Sequence, residues 1–151
     1  MEGSMETNAI NHLNALLKGE QTAIGSYEKY IRVTEDEKIK SSLRDIQQDH
    51  KEHAAKLADR IKAMGGRPDY GTGIAGMITN IRFSLEARNT GDAFELLKSA
   101  YDGEDRGIAM TEKVVKSGLD EESRDMLKRI LSDDHGHLKS MLSLLTEYGY
   151  K

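Results

Sequence analysis

Four stretches of this chain place apolar residues three or four positions apart over many turns, and each breaks that pattern near its middle with glutamate, histidine or aspartate. The first stripe is Leu13, Leu17, Glu20, Ile24, Tyr27 and Ile31. The second is Leu43, Ile46, His50, His53, Leu57, Ile61 and Met64. The third is Leu97, Tyr101, Glu104, Ile108 and Val115, and the fourth is Leu127, Ile130, Asp134, His137, Met141 and Leu144. Steps of three and four put each stripe on one face of an α-helix. A chain with four such faces must bury them against one another, so an all-α bundle is the expected fold.

Punctuation gives the boundaries. The first helix is expected over about residues 6–33. Thr34 and Glu37 have the spacing of a Thr-x-x-Glu capping box, which sets the start of the second helix near residue 35. That helix ends where Met64 meets Gly65, Gly66 and Pro68. A long connection, 65–91, holds an amphipathic stretch from Ile74 to Arg88 before Asn89, Thr90 and Gly91 break it. The third and fourth helices are expected over 92–117 and 119–148. Two tight turns and one long connection describe two antiparallel hairpins joined by a crossover containing a short extra helix, whereas a simple up-and-down bundle would need three short loops.

The polar positions also share a height. In an antiparallel hairpin, residues equidistant from the turn lie level, because both helices rise about 1.5 Å per residue. The midpoint of Glu20 and His50 falls at Glu35, in the first turn, and that of Glu104 and Asp134 falls at Leu119, in the second. The hairpins form a weak internal repeat as well: Gly19-Glu20 matches Gly103-Glu104, and Leu43, Ile46, Asp49, His53 and Leu57 match Leu127, Ile130, Asp133, His137 and Met141. If the hairpins pack in register, Glu20, His50, His53, Glu104, Asp134 and His137 converge in one layer.

Three carboxylates in a low-dielectric core repel one another, and each costs several kcal/mol if ionised and unpaired. Two divalent cations would neutralise them and give the histidines a partner, and carboxylate with imidazole suits iron, manganese or zinc. A metal-free hydrogen-bonded network is the alternative. Tyr27 and Tyr101 read as core fillers beside the layer, His12 and His135 fall off the stripes, and Asp49 points about 70° from the centre of the His50/His53 stripe.

Composition closes off other classes. The chain has 151 residues, a net charge of −4 and no cysteine, which excludes disulfides, thiolate zinc sites and all-thiolate iron–sulfur clusters. No basic block points to a nucleic acid. No apolar run approaches the roughly 18 residues of a membrane span, so no membrane partner is expected and a cytoplasmic location is the default. Residues 1–4 read as a leftover of expression, and 5–151 as one domain.

Taken together, Glu20 and Glu104 stand as two single glutamates, and Asp134-His135-Gly136-His137 as a Glu-x-x-His with Asp for Glu. His50-Lys51-Glu52-His53 stands as a second Glu-x-x-His with His in place of the bridging Glu. This pattern resembles the ferritin-like di-iron carboxylate superfamily of ferritins, rubrerythrins and related oxidases. The resemblance covers nearly the whole chain. It extends to small bacterial four-helix proteins catalogued as a domain of unknown function, which are similar in the Gly-rich entry to the crossover, here Gly71 to Gly76. It implies two metal ions, iron first with manganese or zinc as alternatives. Glu20 and Glu104 would be terminal ligands, Asp134 a bridge, and His50, His53 and His137 nitrogen ligands. It also implies reaction with O2 or peroxide, with Fe2+ or a substrate oxidised. Without cysteine, electrons would come from free iron or an external donor. Metal binding or iron storage without turnover, or a structural bundle that dimerises through 74–88, are the alternatives.

Overall fold

The structure, a computed structural model, describes residues 2–71 and 92–149, with side chains described from Met5 onward. The described residues form four helices: α1 (Glu2–Val33), α2 (Glu37–Ala63), α3 (Ala93–Val115) and α4 (Glu121–Gly149). The expected amphipathic stretch at 74–88, the short extra helix and most of the glycine-rich entry lie outside the described residues.

The boundaries differ from the sequence expectation in ways that local chemistry explains. Helix α2 is capped by Asp36, whose carboxylate accepts from the Ile39 amide, and not by Thr34. The Thr34 amide still donates to Tyr30 at the end of α1, which removes the donor that Glu37 would accept from in a capping box, and an aspartate two residues later caps at least as well. Asp92 caps α3 in the same way, accepting from Phe94 and Glu95. Helix α3 stops at Val115, two residues early, and the turn into α4 passes through Gly118 at φ +89°, a conformation that glycine adopts without strain. Helix α1 runs back to Glu2, four residues before the expected start.

Contacts between helix ends give the directions. Arg60, near the end of α2, bonds Ser123 at 3.0 Å and Asp120 at 2.8 Å, where α4 begins. Lys38, near the start of α2, pairs with Glu147 at 2.8 Å, where α4 ends. The two helices are therefore antiparallel. His12 of α1 meets Ser117, just beyond α3, at 3.1 Å, so α1 and α3 are antiparallel too. Helices α2 and α3 consequently run the same way, and the chain must climb the length of the bundle between them. Its first steps are described: Asn14 donates to the Arg67 carbonyl and accepts from the Asp69 amide, and Lys18 pairs with Asp69 at 3.2 Å. This is the ferritin-like bundle with one crossover between the second and third helices.

The apolar stripes meet inside the bundle. Every residue of the α1 and α4 stripes is buried. On α3 the buried line passes through Ala100 and Val114, while Tyr101 and Val115 are half-buried, a rotation of about one residue. The core falls into two apolar halves, one around Leu13, Leu57 and Leu127 and the other around Leu43, Leu97 and Met141. Between them lies the polar layer. Among the described residues, no helix is long and apolar enough to cross a membrane.

Candidate metal centre

All six residues expected in the layer are buried: Glu20, His50, His53, Glu104, Asp134 and His137 are each no more than 8% exposed. Each sits mid-helix, between apolar neighbours one turn above and below, so its side chain has no route to solvent along its own helix. The level pairing of the hairpins brings them together. The ligand atoms of His50, Glu104, Asp134 and His137 lie within 4.8 Å of one another, and so do those of Glu20, His50 and His53.

His50 occupies the middle. Its Nδ1 is 2.8 Å from Glu20 Oε2, and its Nε2 bonds Glu104 Oε1. His137 Nδ1 is 3.3 Å from Glu104 Oε2 and 3.5 Å from Asp134 Oδ1. His53 Nδ1 is 3.4 Å from Glu20 Oε2 and 3.8 Å from Asp134 Oδ1.

Two aspartates complete the arrangement from outside. Asp133 Oδ2 accepts from His53 Nε2 at 2.8 Å, and Asp49 Oδ2 from His137 Nε2 at 2.7 Å. Each aspartate reaches across the α2/α4 groove to the histidine of the other helix. A carboxylate on the outer nitrogen fixes the ring and leaves the inner nitrogen facing the centre. Sequence reasoning, which followed the stripes, did not assign these two residues. The signal was nevertheless present, because Asp49 and Asp133 coincide in the internal repeat. Tyr27 is also more than the expected core filler: its hydroxyl donates to Glu104 Oε1 at 2.8 Å, and its ring stacks on His50 at 5.4 Å between centroids. Tyr101 is half-buried, and His135 is exposed.

The charges are set by proximity. Burial pushes the Glu104 carboxyl up, but His137 and His50 outweigh it and hold the group at about 2. Glu20 is lowered in the same sense by His50 and His53, against its own burial. Burial pushes the histidines down. The carboxylates around them reverse this, raising His137 to about 10, His50 well above the ordinary value, and His53 to a lesser degree. Asp134 goes the other way: burial and the charges of Glu104 and Glu20 raise it, more than His137 lowers it. Burial and Glu104 keep the Tyr27 hydroxyl protonated.

Among the described residues, two buried side-chain polar atoms make no well-formed hydrogen bond, His53 Nδ1 and Asp134 Oδ1, whose nearest partners are Glu20 at 3.4 Å and His137 at 3.5 Å. An under-satisfied polar atom is costly to bury, and these two lie 3.8 Å from each other. An imidazole nitrogen and a carboxylate oxygen are good donors to a divalent transition metal, so the donor set fits a bound metal. Among the described residues a cavity of about 280 Å³ lies between α1 and α3 and reaches Glu20, His50, Glu104 and Asp134.

Comparisons with known proteins agree with the fold. The family model described as "Domain of unknown function (DUF2383)" matches residues 8–117. Among solved structures, the chain is similar to a two-domain protein from Anabaena variabilis containing DJ-1/ThiJ/PfpI-like and ferritin-like domains. The TM-score is 0.78 at 18% identity, covering 94% of this chain and 37% of that one. It is also similar to a dodecameric thioferritin, the bacterioferritin-related protein of Bacteroides fragilis, with a TM-score of 0.76 at 22% identity, covering 96% of this chain and 88% of that one. No curated protein matches.

The pairings make metal-free stability depend on pH in a defined sense. His137 is raised from 6.5 to about 10, so its contribution is complete below about 6.5 and lost as pH rises through about 10. Glu104 is lowered from 4.5 to about 2, so its contribution is complete above 4.5 and lost as pH falls through about 2. Asp134, raised, runs opposite to Glu104 and softens the acid limb. Thermal melts of chelator-treated protein should therefore be highest between about pH 4.5 and 6.5. A melting temperature that climbs steadily from pH 6 to 9 would contradict these pairings.

Proposed function

This chain belongs to the DUF2383 family, and on its ferritin-like frame we propose that it binds two metal ions, iron in the first instance, and reacts with O2 or peroxide. The observation that carries this reading is the buried layer itself. Three carboxylates and three histidines lie at one height, with His53 Nδ1 and Asp134 Oδ1 making only long ion-pair contacts and no well-formed hydrogen bond. Manganese or zinc would suit the same donors.

Glu20 and Glu104 hold the centre from the paired helices α1 and α3. His53 and His137 face it through Nδ1, kept in that orientation by Asp133 and Asp49. Asp134 lies between His53 and His137 and supports the role of a bridge. Bound iron would supply electrons to an oxidant. The cavity between α1 and α3 gives a small oxidant a place beside Glu20 and Glu104. Tyr27 holds its proton on Glu104 Oε1 and occupies that oxygen from the cavity side. With no cysteine in the chain, reducing equivalents would come from Fe2+ itself or from an external donor.

Storage without turnover is the second reading, because one similar structure is a dodecameric thioferritin. A large particle on size-exclusion chromatography would favour it, and a monomer or homodimer would favour the first reading.

Two measurements follow. Anaerobic loading with Fe2+, then addition of H2O2, should consume peroxide and produce a near-ultraviolet absorption band. Bound iron with neither change would exclude the redox reading while leaving metal binding intact. Asp49→Ala and Asp133→Ala should each weaken metal affinity by about 10–100-fold while the helices persist. Unchanged affinity in a titration of both variants would remove the orienting role assigned to these aspartates.

A further inference from the structure

Of the three histidines in the layer, two commit one nitrogen to an aspartate outside it. His53 Nε2 is held by Asp133 and His137 Nε2 by Asp49. His50 differs. Its Nδ1 faces Glu20 and its Nε2 faces Glu104, so both ring nitrogens point at candidate ligand carboxylates and neither is held from outside. His50 is also the one residue shared by the two groups of converging ligand atoms, His50–Glu104–Asp134–His137 and Glu20–His50–His53. The three rings form a compact triangle, with His50 5.7 Å from His53 and 5.2 Å from His137 by centroids and those two 6.4 Å apart, and Tyr27 stacked on the His50 face limits its rotation.

Resting on the metal-binding reading above, we propose that His50 bridges two metal ions through its two ring nitrogens, as an imidazolate. One ion takes Nε2 together with Glu104, Asp134 and His137. The other takes Nδ1 with Glu20 and His53. An imidazole can bind metals at both nitrogens only if neither carries a proton. Starting from the imidazolium, with one N–H on Glu20 and the other on Glu104, binding breaks two N–H bonds on His50, forms two metal–nitrogen bonds and releases two protons to solvent, with no change of oxidation state.

Charge supports the same assignment. Glu20, Glu104 and Asp134 supply three negative charges, one fewer than two divalent ions need for neutrality in a buried site. An imidazolate supplies the fourth. It replaces a bridging carboxylate in both respects, with one negative charge and two donor atoms facing opposite ways. The two ions are not equivalent, because the Nδ1 side has three protein donors where the Nε2 side has four. The ion on the Nδ1 side therefore keeps the more open coordination, while the cavity borders both sides through Glu20, His50, Glu104 and Asp134.

The test uses the whole chain, stripped with chelator and reloaded with Zn2+, a metal without redox chemistry. Native mass spectrometry counts the ions, and a crystal structure of the loaded protein locates them. Two ions with His50 between them, spaced by roughly 6 Å as two metal–nitrogen bonds of about 2 Å and a ring require, is the expected result. His50→Glu should keep two ions but draw them to about 3.5–4 Å, the spacing of carboxylate-bridged pairs. His50→Gln, which has one good donor, should lose one ion. If the Gln variant loses helicity by circular dichroism, the ion spacing in the unaltered chain decides. A close pair bridged by Asp134 alone, or His50 bound through one nitrogen in a two-ion site, would overturn the bridge and leave the two-metal reading standing; a single bound ion would overturn the bridge and reduce that reading to a one-metal site. No zinc bound at all would overturn both.

Discussion

The structure depends on holding ionisable groups in the middle of an apolar core. Six side chains that would each prefer water sit between two hydrophobic halves, and each is tolerable only because the others are there. In the metal-free chain the balance is struck by pairing, with His50 between Glu20 and Glu104 and His137 against Glu104 and Asp134. The pairing is incomplete, since His53 Nδ1 and Asp134 Oδ1 remain without hydrogen-bond partners. A layer assembled only for packing would be more stable with apolar residues of similar volume. Its persistence across four helices, at one height, is the physical reason to look for a ligand.

The bundle serves that layer. Each hairpin contributes one glutamate and one pair of residues spaced three apart, and the tight turns set them level. The crossover brings α3 back antiparallel to α1, so that Glu20 and Glu104 face each other. Arg60 with Ser123 and Asp120 at one end, and Lys38 with Glu147 at the other, tie the hairpins in register along α2 and α4. A slip of one turn, about 5 Å, would separate every pair in the layer. Outside it, Asp49 and Asp133 make equivalent crossed contacts, which gives the two halves of the site a pseudo-two-fold relation that the repeat in the chain already carries.

Much of this was legible from residue spacing. Helical periodicity locates four helices, loop lengths give the topology, and the interruptions in the stripes identify all six residues that come together. What was less legible turns on side-chain reach and local competition. Thr34 has the spacing of a capping box, but its amide still closes the last turn of α1 and Asp36 is the cap. Asp49 and Asp133 lie off the buried stripes, and a helical wheel discards them, yet a short carboxylate at the groove reaches the neighbouring helix's histidine. Tyr27 was visible as a buried ring, whereas its bond to Glu104 depends on the distance between two helices, which no local pattern contains. His50 stood out as a departure, but the direction of its two nitrogens is a tertiary fact.

The central claim is that the polar layer is a metal site rather than a self-sufficient network. The most direct measurement is the melting temperature of chelator-stripped protein, taken anaerobically with and without Fe2+ at a hundredfold excess over its dissociation constant. Selective binding to the folded chain should raise the midpoint by about 5–10 °C for a domain of this size. A midpoint that does not move, with no iron retained after desalting, would contradict the claim.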